Sequence, residues 1–580
     1  MCGLFGSVGL GDLPEASIFE ALHGRGPDDQ GRWQAGPARL LHTRLAIQDL
    51  SPLGHQPMVS DGGGLALVFN GEIYNQQALR RELEAEGEHF RSRSDTEVLL
   101  RGFQRWGERL WSRLNGIFAV ACWEVESQQL TLARDGFGVK PLLWTRDNGS
   151  CAFGSELSAF EAAGLAHRDR LSEAALESYA LWGAVAAPQT LLAGVEVFPA
   201  GHWARWHPGD GWHLQRFADP LPQPHAAAEP WAEAASTLPA ERVAIALGRA
   251  VERQAIGDVP VGLFLSGGLD SGLLAALLRR SQSGPIRSVS VGFDGLPGAV
   301  DESDLASLTA RHLGLEHQAL RIGKPALDAA FDGFLEAIDQ PSIDGFNSFL
   351  VAAAARAQGM RVAFSGLGAD ELFGGYGHMV GLSRQRLLRV RQIRCSGLGP
   401  RQRWQLRRHR ETLLPPEPAA QAGSRSGAVP LRLASLLELR GYLRDTLLRD
   451  GDAVTMHHGL ELRVPFLDPD LARLALGLEE ASQLQGGAKG LLRQVAGPLL
   501  PEPVLAGPKR GFNLALAPWL LEDPRFSPQR IIGILRGELR RRGLKAATVA
   551  VAQSWLLLRA TSRWGSYWRW VILAEWLQRG

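Results

Sequence analysis

The feature that most constrains this chain is an alternation of apolar strands and helices that begins at residue 259. Residues 259–265 form a continuous apolar run, followed at once by Ser266-Gly267-Gly268-Leu269-Asp270-Ser271 and a helical pattern through residue 278. Further strands are predicted over 287–293, 317–321 and 360–365, separated by helices over 302–313 and 348–358 that Gly314 and Gly359 stop. Apolar strands alternating with helices imply a parallel sheet with right-handed crossovers. Ligands of such sheets sit outside the carboxyl ends of the strands, and the Gly-rich segments 266–271 and 365–376 fall there.

The first 205 residues have another pattern, short strands with Gly-rich turns, predicted over 65–69, 117–123, 129–133 and 141–144. One helix follows Asn75, with Ala78, Leu79 and Leu83 on one face. Another starts at Ser94, where Ser94 and Glu97 fit a capping box. Residues 218–240 are rich in Pro and Ala, as a linker is, and 396–430 form a basic, Pro-rich surface excursion. At the end, Trp555, Trp564, Trp568, Trp570 and Trp576 predict an amphipathic helix packed in a core or interface rather than on a membrane.

A chain of 580 residues is too long for one ordinary domain, and about 150 residues per domain gives two to four. The net charge of +1 gives no global attraction for nucleic acid or an anionic membrane. Cys2, Cys122, Cys151 and Cys395 are too few and scattered for a disulfide framework or zinc site, so reduced thiols in a cytoplasm are expected. No basic-then-apolar leader and no run of about 20 apolar residues appears, so neither a signal peptide nor a spanning helix is expected.

The chain opens Met1-Cys2-Gly3. Removal of Met1 leaves Cys2 with both a thiol and an α-amine, and an amine with a pKa near 8 can serve as the local base for the thiol. In order along the chain come Cys2-Gly3-Leu4-Phe5-Gly6, Arg25-Gly26-Pro27-Asp28, Arg44-Leu45-Ala46-Ile47, Asn70-Gly71-Glu72-Ile73-Tyr74-Asn75 and Ser94-Asp95-Thr96-Glu97. Taken singly, Asn70-Gly71 is a hairpin signal, Asp95 a first-turn carboxylate and Arg44 a surface ion pair. Together, in this order, they resemble the glutaminase domain of class II (N-terminal nucleophile) amidotransferases over about the first 200 residues. The family usually has Arg-His-Arg before Gly-Pro-Asp, whereas this chain has His23-Gly24-Arg25.

The C-terminal motifs begin with the Ser266–Ser271 loop, which suits phosphate because small residues admit backbone N–H groups and a helix N-terminus adds positive potential. No Gly-Lys-Ser/Thr follows, so it is no Walker loop. It is similar to the pyrophosphate loop of N-type ATP pyrophosphatases. Then come Ser365-Gly366-Leu367-Gly368-Ala369-Asp370-Glu371-Leu372-Phe373-Gly374-Gly375-Tyr376, the segment from Leu460 to Asp468 preceded by Asp452 and Met456, Lys489-Gly490-Leu491-Leu492-Arg493, and Lys509-Arg510-Gly511-Phe512. All four behind a class II glutaminase domain resemble asparagine synthetase over nearly the whole chain.

That resemblance implies an N-terminal-nucleophile αββα sandwich over 1–210, a linker over 211–240, and an α/β parallel-sheet ATP-pyrophosphatase domain with a helical C-terminus over 241–580. It implies that Cys2 attacks glutamine's carboxamide, that Asn70 and Gly71 stabilise the oxyanion, and that Arg44, Leu45, Ala46, Ile47, Glu72 and Asp95 bind glutamine. ATP would lie on Leu265, Ser266, Gly267, Gly268, Asp270, Ser271, Val291, Ser365 and Gly366, with Mg2+ on Asp270 and Asp370. Lys489, which without the family is as easily an exposed helix lysine, would stabilise charge during acyl transfer. Arg463 and Asp468 would order the fold around the site. The implied partners are glutamine and a carboxylate acceptor, with a homodimer as the candidate assembly.

The implied reaction is amidation through an acyl-adenylate, with aspartate as the first candidate acceptor. Leu367 departs from the Glu that asparagine synthetases usually carry in Ser-Gly-Glu-Gly, so another acceptor, such as a uronic acid of a surface polysaccharide or a secondary metabolite, is the alternative. A non-catalytic sensor is disfavoured by intact Cys2, Asn70, Asp270 and Asp370. A β-lactam-forming or peptide-cyclising enzyme needs no intact Cys2 and glutamine pocket.

Overall fold

The computed structural model describes residues 2–146, 149–219, 238–294, 301–377, 379, 431–507, 516–543 and 564–579. Three sheets organise them. The first joins β1 (Cys2–Val8), β2 (Asp29–Ala35), β3 (Ala38–Arg44), β8 (Leu143–Trp144), β9 (Cys151–Gly154) and β10 (Glu196–Val197) in the order β10-β8-β9-β1-β3-β2. The second joins β4 (Met58–Val59), β5 (Leu65–Ile73), β6 (Gly116–Glu124), β7 (Gln129–Arg134), β11 (His202–His207) and β12 (Gly211–Arg216) in the order β12-β11-β7-β6-β5-β4. Both are antiparallel.

Alternation along the strands builds the layers, because successive side chains of a strand face opposite sides. Leu4, Leu40, Ala66, Val68, Ala119 and Ala121 meet between the sheets. Leu65, Leu67, Phe69, Phe118 and Val120 face helices Gln76–Ala85 and Asp95–Trp106, while Phe5 and Leu41 face the helices Glu15–Leu22 and Leu157–Ala162. The result is the expected αββα sandwich.

The third sheet is parallel, ordered β15-β14-β13-β16-β17, from β13 (Val261–Phe264), β14 (Arg287–Phe293), β15 (Glu316–Ile322), β16 (Val362–Phe364) and β17 (Glu461–Arg463). Its fifth strand is only three residues long and was not expected; it adds to β16 across the intervening helices. The helices after β13 and before β16 run Leu269–Ser281 and Phe346–Ala357. Residues Leu439–Leu448 wind as a π-helix that leads into helix Arg449–His457.

Three local expectations change. Strand β5 runs on through Asn70-Gly71 to Ile73, because these residues pair with Gly116–Ala119, so Asn70-Gly71 is no turn. Ser94 does cap its helix, accepting from the Thr96 N–H at 3.0 Å, but Glu97 instead accepts from the N–H groups of Arg91 (3.0 Å) and Ser92 (2.7 Å). The preceding loop folds over the first turn and offers nearer donors, so no capping box closes. The C-terminal helix Trp564–Gln578 is buried on nearly every side from Tyr567 to Leu577 rather than amphipathic. Trp568 packs on Phe331, Phe346 and Trp519, and Arg569 is tied to Tyr179 and Ala180 through backbone carbonyls. Trp555, most of the linker, the 396–430 excursion and Lys509 to Phe512 lie outside the described residues.

The two halves meet along a polar seam. Arg361 forks onto Asp28 at 2.7 Å, the Asp258 N–H donates to the Ile47 carbonyl, and the Asp49 N–H donates to Asp258, both at 2.9 Å.

Candidate functional site

Cys2 begins β1, opposite Arg44 of β3, and is 7% exposed. Its backbone N donates to Asn70 Oδ1 at 3.1 Å, which fixes the orientation of the Asn70 amide. Asn70 Nδ2 is then buried with no protein partner. A buried donor without an acceptor costs roughly 1–3 kcal/mol, and one held beside a nucleophile is the arrangement that stabilises an oxyanion. Gly71, next along β5, has φ +149°, and a Cβ there would lie 2.0 Å from the Ile117 carbonyl oxygen, so only glycine fits. Burial pushes the Cys2 thiol up, although a Leu45 N–H hydrogen bond and the charge of Arg44 oppose the rise. A thiol so buried needs a local base to become a thiolate.

The other expected glutamine residues surround Cys2 but already have partners. Arg44 donates to the carbonyls of Ser51 (3.0 Å), Gln48 (3.4 Å) and Asp49, holding the loop 48–51 in place. The Ala46 N–H donates to Asp28 at 2.8 Å and Ile47 touches the other half, so these two residues shape the seam. Asp95 accepts the Ile73 N–H at 3.0 Å, and burial raises its carboxyl to about 6 despite that bond. Glu72 is pushed up by burial and by nearby Glu461; it accepts from Gln48 and lies 3.4 Å from Arg463 of β17. Arg463, fully buried, also bonds Glu461 and the carbonyls of Gln254 and Ile256. Arg463 thus joins β17 to Glu72 of the other half across the seam. Asp468 acts locally, capping helix Pro469–Gly477 and holding Arg253 at 2.8 Å.

At the carboxyl end of the parallel sheet, Ser266 links the loop to its helix. Its N–H donates to Ser271 Oγ at 3.0 Å, and its own Oγ accepts from the Gly268 N–H at 3.1 Å. The first-turn N–H groups of the helix that follows have no intrahelical acceptor and point toward this end. Leu265 and Val291 are buried, the Leu265 N–H donating to the Val289 carbonyl at 2.9 Å. Pairing of β16 with β13 brings the second loop alongside the first, and on the other side the Ser365 N–H donates to the Arg463 carbonyl of β17 at 2.9 Å. A Cβ on Gly366 would stand 3.1 Å from Asp270 Cβ, and one on Gly267 would meet Glu302 and Leu305.

Lys489 proves to be buried, not an exposed helix lysine. Its ammonium bridges Asp270 and Asp370, the latter at 2.6 Å. Burial alone would lower this ammonium, but the two carboxylates outweigh it and hold it up. Its backbone is left-handed at φ +54°, a conformation that costs a non-glycine residue about 1–2 kcal/mol and clusters at functional positions. A Cβ on Gly375 would overlap both Asp370 and Lys489. Among the described residues no group of three or more His, Cys, Asp or Glu is placed to hold a metal ion. Asp270 and Asp370 form a pair, which is what a Mg2+ shared with a polyphosphate needs from a protein.

Sequence reasoning missed Lys140 and the weight of Asp452. Lys140 lies in an apolar loop with no local signal, yet it is 1% exposed in its side chain and 3.1 Å from Asp452. It also missed Tyr376 OH on Glu371, 2.6 Å apart, whose burial lifts the carboxyl to about 7.

A buried thiol beside an amide nitrogen with no protein partner on an αββα sandwich, joined to a parallel sheet with a Gly-rich loop, fits a glutamine amidotransferase coupled to an ATP-dependent amide ligase. Family models agree: residues 1–217 match a glutamine amidotransferase domain and residues 242–578 match asparagine synthase. The chain belongs to the asparagine synthase family. Asparagine synthetase [glutamine-hydrolyzing] 1 of Bacillus subtilis is 30% identical over 90% of this chain and 88% of that one. Asparagine synthetase [glutamine-hydrolyzing] 3 of the same organism is 30% identical over 87% and 86%. The protein named Amidase chry2 from Gibberella zeae is 31% identical over 62% of this chain and 55% of its own. The protein therefore carries out glutamine-dependent, ATP-driven amidation. No helix among the described residues is long and apolar enough to cross a membrane.

Proposed function

We propose that this ligase amidates aspartate to asparagine, with Cys2 as the glutaminase nucleophile. The observation that carries the nucleophile assignment is the Asn70 amide, whose oxygen is held by the Cys2 backbone while its nitrogen is buried and unpartnered. The α-amine freed by loss of Met1 takes the thiol proton, and the thiolate adds to glutamine's carboxamide carbon. Asn70 Nδ2 and the Gly71 N–H receive the developing oxyanion. Ammonia leaves, and water cleaves the thioester to glutamate. Arg44 turns from the loop carbonyls to the glutamine α-carboxylate, and Asp95 with Glu72 takes the α-ammonium.

At the other end, the acceptor carboxylate attacks the α-phosphorus of ATP, pyrophosphate leaves, and ammonia displaces AMP from the acyl-adenylate to form the amide. The Ser266–Ser271 loop and the Ser365-Gly366 turn cradle the nucleotide. Asp270 and Asp370 would hold Mg2+, which would supply positive charge against the pyrophosphate. The space between the two carboxylates already accepts a cation, the Lys489 ammonium, and the absence of a side chain on Gly375 keeps it open. Lys489 then follows the charge onto the phosphate and reacting oxygens. The described cysteines Cys2, Cys122 and Cys151 are free thiols, which suits a reducing cytoplasm. A homodimer and a division into 1–210, 211–240 and 241–580 complete the proposal.

The aspartate assignment is supported by the curated relatives that match nearly full length. Leu367 favours a second acceptor: it packs with apolar neighbours and can neither accept a proton nor pair with an ammonium. Incubation with ATP, Mg2+ and glutamine, with and without aspartate, separates the two. Aspartate-dependent AMP, pyrophosphate and asparagine support the first. Glutamate release without aspartate turnover sinks it and directs the search to other carboxylates.

A further inference from the structure

We propose that Asp452, in the synthetase half, is a positioning residue for Cys2, and that helix Arg449–His457 carries the state of the acceptor end to the glutaminase nucleophile. The proposal rests on Cys2 being that nucleophile and on Leu367 facing the acceptor end.

Four charges make the link, three of them buried and the fourth, Glu156, partly so. Arg25 Nε donates to the Cys2 carbonyl oxygen at 3.1 Å. The same guanidinium meets Asp452 through Nη2 and Glu156 through Nη1, each at 2.7 Å. Lys140 Nζ holds the other Asp452 oxygen at 3.1 Å. Burial would raise the Asp452 carboxyl, yet Arg25 and Lys140 together hold it below the usual range. Two cations and two anions thus balance in the interior. Removing the Asp452 charge takes the anion from buried Lys140 and leaves Arg25 with Glu156 alone, which forces the others to move.

The helix that bears Asp452 faces three ways within one turn, as 100° per residue requires. Asp450 accepts from Ser342, in the loop before helix Phe346–Ala357, and pairs with Arg449 at 2.7 Å. Gly451 lies against Leu367, whose Cδ1 would be 3.8 Å from a Cβ at that glycine. Asp452 turns to Arg25. A shift at Asp450 or Gly451 therefore moves the carboxylate that orients Arg25, and with it the Cys2 carbonyl.

Two further contacts tighten the same path. The Leu157 N–H, adjacent to Glu156, donates to Asp339 at 2.7 Å, so Arg25's second anion also abuts the segment that holds Ser342. Gly24 stands where the family usually has histidine, and a Cβ there would lie 3.3 Å from His457 Cα. The departure noted in the sequence thus brings the Arg25 segment close to this helix.

The test is Asp452→Asn, an isosteric loss of charge, with Asp452→Glu as the conservative variant. Cys2 reactivity is read by alkylation with a glutamine-shaped diazoketone and by glutamate release. In Asp452→Asn both should slow by about a hundredfold, as a small misplacement of a reacting group does, with Asp452→Glu recovering part of the loss. The KM for glutamine and the ammonium-driven release of pyrophosphate should stay near wild type, because Arg44, Asp95 and Lys489 are untouched. Unchanged alkylation overturns the proposal. So does a parallel fall in alkylation, ammonium-driven activity and melting temperature, which marks a merely structural residue. Should the variants not fold, wild-type alkylation with and without ATP analogue plus aspartate decides: a changed rate supports the link, an unchanged rate overturns it. A wild type that hydrolyses glutamine but releases no pyrophosphate with aspartate overturns the acceptor assignment alone, and the Asp452→Asn alkylation result still decides the link.

Discussion

The two ends of this enzyme arrange their polar groups in different ways. Around Cys2, the proposed oxyanion donors are fixed by backbone. Gly71 is locked in a strand, and Asn70 is oriented by the Cys2 N–H and left with a free amide hydrogen pair. At the end of the parallel sheet the charges satisfy one another, with Lys489 clamped between Asp270 and Asp370. The first site stores its cost as an unmet hydrogen bond and is ready when substrate arrives. On the proposed mechanism the second exchanges an internal ion pair for metal and phosphate, so its cost falls at binding. Backbone preorganisation suits a small neutral amide, and exchangeable charge suits a polyphosphate anion.

The comparison can be broken most directly at Cys2. Cys2→Ala should abolish glutamine-driven amidation while ammonium still drives pyrophosphate release; amidation persisting with glutamine would remove Cys2 from the mechanism. Next, Asn70→Ala should lower glutaminase kcat by about 10²–10³, the usual loss for one oxyanion donor, measured as glutamate release with the ammonium reaction as control. Asp370→Asn should do the reverse. It frees Lys489 from one anion and should reduce pyrophosphate release by about tenfold or more, leaving glutamate release intact; equal loss of both activities would show that the ends are not separable. The smallest effect is in pH. Asp95, raised to about 6 by burial, must be ionised to hold the glutamine ammonium. So kcat/KM for glutamine should fall about tenfold per unit below pH 6, and ammonium-driven activity should lack that limb. For stability the sign is opposite: a carboxyl raised by folding favours the folded chain at low pH, and that contribution is lost as pH rises through 6.

Much of this was legible in the chain. The apolar run before Ser266 and the order of the Gly-rich motifs led to the parallel sheet and its loops, since a buried parallel strand must be apolar on both faces. Strand β17 escaped because Glu461-Leu462-Arg463 is charged at both ends, whereas the equally short β16, Val362-Ala363-Phe364, is apolar throughout. Glu97 escaped its capping box because a nearby loop competed for it, which no local pattern encodes. Lys140 and Asp452 lie 312 residues apart, and neither announces the other.

By itself the sequence determined the family and singled out the residues proposed for its chemistry: Cys2, Asn70 and Gly71, the Ser266–Ser271 loop and Lys489. Residue type and local spacing suffice for that, because strand, turn and helix N-terminus are short-range structures. The tertiary structure decided what each charge does before substrate arrives. It sent Arg44 to its own loop, Glu72 to Arg463 across the seam, Lys489 between two aspartates, and Arg25 from Cys2 to Asp452. Buried charges must find partners wherever the fold supplies them, and for Glu72, Lys489 and Asp452 those partners lie more than a hundred residues away in sequence.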